Sequence, residues 1–348
     1  MSQYGLPYQG SKQSLCDELI KIFPAADHFY DLFGGGGAVT HAMAVRRSKD
    51  FKQFHYNEIK PEIIDCFKNA VAGKYSYEVF KPKWISREEF LEKKDLDGYI
   101  KLCWSFSCNG KDYLFGKNIE SYKKSMHMAI VFNEFDDVAK KTFGMNAFKE
   151  SSSIKDRRLL LRHVQLLGGK SNQLKSIESL ERIEQAQGLD QLAAQQHLFA
   201  LERVQGLEGL RIESLERIEQ AQGLDQLAAQ QHLFALERVQ GLEGLRQKIV
   251  YFSKSYEKVE ILPNSIIYCD IPYEDTKGYA LSFDRPAFLD WADKHDTPIF
   301  ISEYDIKDPR FRLIWTKKKL ALMSRQGAGT KVLEKVYCNA AALRFSRK

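Results

Sequence analysis

Residues Tyr268-Cys-Asp-Ile-Pro-Tyr273 set an acid, a proline and an aromatic ring directly behind the apolar run Ile266-Ile-Tyr-Cys269. A weakly nucleophilic exocyclic amine becomes reactive when acceptors hold its two hydrogens and its lone pair turns toward an electrophile. The Asp270 carboxylate and the Ile271 main-chain carbonyl could be those acceptors. Pro272 would stiffen the turn, and Tyr273 would stack on an extruded base. A strand that merely ends in a proline turn would read the same way, so the tetrapeptide takes its meaning from the rest of the chain.

Far upstream, Tyr8-Gln-Gly-Ser-Lys12 is followed by Asp31-Leu-Phe-Gly-Gly-Gly-Gly37. A glycine turn between a strand and a helix lets backbone amides approach a ligand closely, and an acid at the end of the next strand can accept both hydroxyls of a ribose. Gly34, Gly35 and Gly37 occupy the first place and Glu58 the second. The dinucleotide fingerprint G-x-G-x-x-G is absent, because Val39 and Thr40 follow directly and no glycine closes the pattern, which disfavours a nicotinamide cofactor. A nucleotide loop far ahead of an acidic and aromatic turn is the equipment for methylating an amino group on a base.

These residues need elements to hold them. Segment 28–33 reads as a short buried strand, 38–46 as a helix and 51–57 as a second strand ending at Glu58. Pro61 opens a further helix. Residues 86–150 read as helices with a surface loop at Cys108-Asn-Gly-Lys-Asp112. The α/β pattern returns with a strand at 265–270, a helix at 285–294 and a strand at 298–302. Segments 311–323 and 331–338, joined through Arg325-Gln-Gly-Ala-Gly329, read as a hairpin, and residues from Ala340 onward as a tail without fixed structure.

Between the halves, Ile177–Arg211 and Ile212–Arg246 are identical over 35 residues. Packing cannot demand identity at solvent-facing positions, so a recent duplication is the expected cause. Apolar residues recur at every third position, a stripe that drifts by roughly 60° per step around an α-helix and gives no single buried face. Short, broken helices are expected there. Two copies are too few for a free-standing solenoid, so the repeat reads as an insertion.

At 348 residues with 44% hydrophobic content, the chain can bury a large core, and it holds no apolar run near the roughly 20 residues of a membrane helix. No membrane partner is expected. The N-terminus lacks the charged and apolar parts of a secretory signal, and the six scattered cysteines suggest reduced structural thiols without zinc or other metal, so a cytoplasmic location is expected. Residues 177–246 hold 12 acids against 6 Lys or Arg, so the formal +6 of the chain leaves +12 on the other 278 residues. A basic body suits a polyanion such as DNA, though a solvated surface has the same composition.

In this order the motifs resemble the Dam-like, D12 class of adenine-specific DNA methyltransferases, which has many phage-encoded members. The resemblance covers roughly 4–135 and 262–338. Tyr8 to Lys12 looks like the family's N-terminal element, Phe33-Gly-Gly-Gly-Gly37 like its donor loop, and Glu58 like its ribose acid. Asp270-Ile-Pro-Tyr273 stands where D-P-P-Y is expected, and Ser302-Glu-Tyr304 resembles the segment after the next strand; Trp104-Ser-Phe-Ser-Cys-Asn-Gly-Lys111 also looks family-like.

The resemblance implies a Rossmann-like methyltransferase sheet with a C-terminal antiparallel hairpin and an inserted, mainly helical target-recognition domain. Catalytic segments are then expected at 1–85 and 260–340, the recognition region at 86–259 and the tail at 341–348. The implied donor is S-adenosylmethionine, contacted by Tyr8, Lys12, Phe33, Gly35, Glu58 and Asp270, with Lys12 alternatively on DNA. The implied substrate is adenine N6 in double-stranded DNA, reached by base flipping, with a restriction endonuclease as a conceivable partner. Ile271 replaces the family's first proline but keeps the carbonyl. Basic residues Lys155, Arg157, Arg158 and Arg162 could grip phosphates. Methylation of RNA or of a glutamine side chain, or a non-catalytic DNA-binding or assembly role, remain as alternatives.

Overall fold

The computed structural model describes residues 4–75, 80–168, 239–272, 283–321 and 330–345. Its strands are β1 (His28–Asp31), β2 (Gln53–Asn57), β3 (Ile249–Phe252), β4 (Ser265–Asp270), β5 (Ile299–Glu303), β6 (Arg312–Ala321) and β7 (Thr330–Cys338). They form one seven-stranded sheet in the order β3-β2-β1-β4-β5-β7-β6. The first five run parallel; β7 is antiparallel to both β5 and β6. This is the expected α/β architecture with its C-terminal hairpin.

The α-helices in the described residues are α1 (Cys16–Leu19), α2 (Ala38–Arg46), α3 (Pro61–Val71), α4 (Arg87–Lys93), α5 (Gly98–Cys103), α6 (Glu120–His127), α7 (Asp137–Phe143), α8 (Ile154–Gly168), α9 (Arg285–Lys294) and α10 (Ala340–Phe345). Local chemistry explains several boundaries. Pro61 occupies the first turn of α3, where a missing N–H costs nothing, and Ile63, Ile64, Phe67 and Val71 line its buried face. Asp284 caps α9 by accepting from the Ala287 amide at 3.0 Å.

Strands β1, β4 and β5 are buried almost throughout, as parallel strands covered on both faces must be. One core gathers Tyr30, Ile267, Cys269, Ile271, Phe288, Ile299 and Ile301. Elsewhere Phe23 packs its ring against Phe29, Tyr268 and Phe300 at 5.2–5.5 Å.

The chain divides into two compact units, one of Met1–Phe80, Arg87–Tyr113 and Ala229–Lys348, the other of Lys81–Ser86 and Leu114–Ala228. The first carries the sheet. The second has its own apolar cluster of Met126, Ala129, Ile130, Ala139, Phe143, Phe148 and Leu161. There Asn133, at φ 61°, bonds Phe148 through both its amide oxygen and its amide nitrogen.

Three expectations change. Residues Ala340–Phe345 of the tail are a helix, because buried Asn339 caps it at Ala342 and donates to the carbonyls of Ala292, His295 and Thr297. Arg158 is buried and Arg157 donates to the Ile130 carbonyl at 3.2 Å, so neither presents a free guanidinium to phosphate as the basic run suggested. Strand β3 went unforeseen inside the stretch 86–259. It follows a 3-10 helix at Gln240–Lys248 that ends the second repeat and packs on α2 and α3. With three residues per turn, the three-residue apolar period that spirals on an α-helix becomes a fixed stripe, and Val239 and Leu242 are both buried. The remainder of the repeat lies outside the described residues.

Candidate active site

Strands β1 and β4 are neighbours, with Asp31 opposite Tyr268 in register. The chain proceeds from β1 to β2 on one side and from β4 to β5 on the other, so the order reverses between them. Ligands of open α/β sheets bind at such a switch point, beyond the carboxyl ends of the strands. The glycine loop follows β1 and the Asp270 turn follows β4, so the two motifs emerge side by side from the same edge of the sheet.

The loop is tied at each step. Leu32 N–H donates to the Tyr268 carbonyl at 3.0 Å, Gly34 N–H to Asn57 at 2.8 Å and Gly37 N–H to Gly34 at 2.7 Å. The Tyr56 hydroxyl donates to the Gly35 carbonyl at 2.6 Å. Gly37 precedes α2 with φ of 70°, and a Cβ there would come within 2.5 Å of the Phe67 ring, so this position needs glycine twice over. Tyr8 covers the loop, since a Cβ built on Gly35 would lie 3.1 Å from its Cε1. Phe33 projects into an aromatic wall, its ring 5.5 Å from Tyr256 and 5.7 Å from Phe283 and Phe288.

Glu58 sits one residue past β2 and is buried. Its Oε2 accepts from the Gly35 amide at 3.0 Å and its Oε1 from the Lys60 amide at 3.2 Å. Burial pushes its pKa up, and those backbone donors oppose the rise. The carboxylate keeps acceptor capacity beyond these two bonds.

Asp270 ends β4 with its side chain 23% exposed. Buried Lys12 donates to its Oδ1 at 2.6 Å and stands 3.5 Å from Glu334 Oε1. Ile271 is 2% exposed and belongs to the core with Phe288 and Ile301, which accounts for an aliphatic residue where a proline was expected. Pro272 offers its carbonyl to Arg285, which also pairs with buried Glu303. Ser302 lies opposite Asp270 in register and bonds Tyr268 at 2.8 Å, while Tyr304 N–H donates to Glu303 at 2.7 Å. Tyr273 lies outside the described residues.

Asp31, Arg285 and Glu334 were not singled out from the sequence. Asp31 is 1% exposed; Thr40 donates to its Oδ2 at 2.8 Å, and its Oδ1 has no partner among the described residues. Burial lifts its pKa to about 7, with Asp270 and Glu58 adding to the rise. The wider edge thus holds carboxylates at Asp31, Glu58, Asp270, Glu303 and Glu334 beside the cations Lys12 and Arg285. Carboxyl groups outnumber cations here, and a cationic ligand would favour their ionised forms. Among the described residues no group of His, Cys, Asp and Glu is arranged to hold a metal ion, and no helix is long and apolar enough to cross a membrane.

The sheet order, the antiparallel hairpin and a glycine loop beside an acidic turn are those of an α/β methyltransferase. The profile of the D12 class N6 adenine-specific DNA methyltransferases matches residues 8–188, more than half of the chain. The chain belongs to that family and is a DNA adenine methyltransferase. The match takes in Tyr8, Lys12, the glycine loop and Glu58, and it stops short of β4. No curated protein matches the chain.

Proposed function

We propose that the chain transfers a methyl group from S-adenosylmethionine to N6 of an adenine flipped out of double-stranded DNA. The observation that carries this reading is the shared edge of β1 and β4, where Lys12 from the N-terminal motif meets Asp270 from the acceptor turn at 2.6 Å.

The residues present fit the donor. Asp31 Oδ1 has no partner among the described residues, the local charge is anionic, and the loop at Gly34, Gly35 and Gly37 leaves backbone in place of side chains. Glu58 would accept the ribose hydroxyls, Tyr8 and Phe33 would supply apolar walls, and Asp31 with Asp270 would face the positive end. When bound, the donor supplies an electrophilic methyl carbon on a sulfonium.

Asp270 and the Ile271 carbonyl hold the two hydrogens of the 6-amino group, which turns the nitrogen lone pair out of the ring plane. Pro272 limits the turn, Arg285 braces it through the Pro272 carbonyl, and Tyr273 stacks on the flipped ring. With the donor bound, the amino nitrogen held in this way would take up the methyl group, and Asp270 or solvent would accept the proton that it gives up. Target recognition falls to the helical region within 86–259, supported by the separate compact unit that includes Leu114–Ala228.

The test is labelled-donor transfer to mixed-sequence DNA, followed by nuclease digestion and identification of the modified nucleoside. N6-methyladenine is expected from the wild type and none from Asp270→Ala. Full activity of that variant, or label appearing only in RNA or protein, would overturn the proposal.

A further inference from the structure

Glu334 is a carboxylate that the transfer scheme above does not use. It lies on β7 between exposed Leu333 and half-buried Lys335 and is itself 1% exposed. Strand alternation turns its neighbours outward and sends Glu334 inward with Val336. A carboxylate in that position is costly unless charge or donors compensate it. Lys12 stands 3.5 Å from it, and the same ammonium is 2.6 Å from Asp270 Oδ1.

An ammonium is a compact charge with three donors at the end of a flexible four-carbon stem. One anchor leaves such a group free to swing; two anions on different strands fix it. A second ion pair acts in the same direction. Lys317 on β6 faces Glu334 across the ladder and pairs with Glu18, so the hairpin grips the N-terminal segment at two points on one face.

We propose that Glu334 is a positioning residue for methyl transfer: by holding Lys12 it sets where Lys12 holds the Asp270 carboxylate, and so aims the acceptor of the 6-amino group. The inference rests on Asp270 being that acceptor. It gives the C-terminal hairpin a part in the chemistry through Lys12.

The test is steady-state transfer to mixed-sequence DNA with labelled S-adenosylmethionine, expressed per folded molecule. Glu334→Gln is expected to lower kcat by about 10²-fold, the scale on which remote misplacement of a reacting group acts. KM for DNA and donor should change little. Glu334→Asp, which keeps the charge, should recover much of the loss. Because Glu334 acts through Lys12, Lys12→Met combined with Glu334→Gln should be no slower than Lys12→Met alone. The double variant leaves no lone buried charge, and its comparison with Lys12→Met decides the matter should Glu334→Gln fail to fold.

Wild-type kcat in Glu334→Gln, or losses that multiply in the double variant, overturn the inference while the methyltransferase reading stands. A wild-type chain that transfers nothing to DNA removes the reading and the inference together.

Discussion

The Gly35 amide donates to Glu58 Oε2 at 3.0 Å, so the glycine loop is held by the same carboxylate that is proposed to take the donor's ribose. Lys60 N–H holds the other oxygen at 3.2 Å, and the carboxylate is therefore held in a fixed orientation. Glu58→Gln exchanges one acceptor oxygen for a donor and removes the charge. Hydrogen bonds to charged groups contribute about 1.5–3 kcal/mol, so the donor's Kd is expected to rise roughly 10- to 100-fold by calorimetry. At saturating donor, kcat should change little. An unchanged Kd would remove Glu58 from the donor site.

Gly37 makes a sharper steric prediction. Alanine there would have to adopt φ of 70° and place its Cβ 2.5 Å from the Phe67 ring on α3. Overpacking of this kind costs about 1–3 kcal/mol, and the strain falls on the loop that leads into α2. Gly37→Ala should lower the urea midpoint and weaken donor binding together. Gly10, also at positive φ but with open space around it, is the control: Gly10→Ala should cost less stability.

Much of this arrangement was legible in the sequence because it is written locally. Strands β1, β4 and β5 are short, mostly apolar runs that each end in an acid, and α2 begins at the last glycine of the run. What stayed hidden depends on pairing. Nothing in the neighbourhood of Glu334 says that its partner is Lys12, and Arg285 reads as an ordinary residue in the first turn of a helix until Glu303 is seen beside it. Strand β3 was hidden for another reason. Its four residues, Ile249-Val-Tyr-Phe252, come just after a repeat whose three-residue period belongs to neither an α-helix nor a strand.

The repeat itself yields a prediction from its sequence. Deleting Ile177–Arg211 leaves one complete copy that still ends in the Val239 to Lys248 stretch leading into β3. If the second copy arose by duplication, methylation of mixed-sequence DNA should be largely unchanged. Joint loss of transfer and of DNA affinity in a gel-shift assay would show that both copies are needed. Deleting through Arg246 instead removes buried Val239 and Leu242 and most of the 3-10 helix that packs on α2 and α3, and that variant should be destabilised.

Asp31 ties stability to pH in a direction opposite to most carboxylates. Its folded pKa is raised to about 7 from an ordinary 3.8, chiefly by burial and then by Asp270 and Glu58, against the bond from Thr40. Below the unfolded value both states hold the proton, and this group costs nothing. As pH rises toward 7 the unfolded chain releases its proton while the folded chain keeps it, so stability falls by about 1.4 kcal/mol per pH unit from this group alone. Above the folded value both states are ionised and the penalty is constant. Asp31→Asn lacks the titration but keeps an acceptor for Thr40. In urea unfolding without donor, its stability relative to wild type should therefore increase from pH 4.5 to pH 7 and then level off. Because other titrating groups are common to both proteins, a difference that stays flat across that range would show that Asp31 is ionised in the fold.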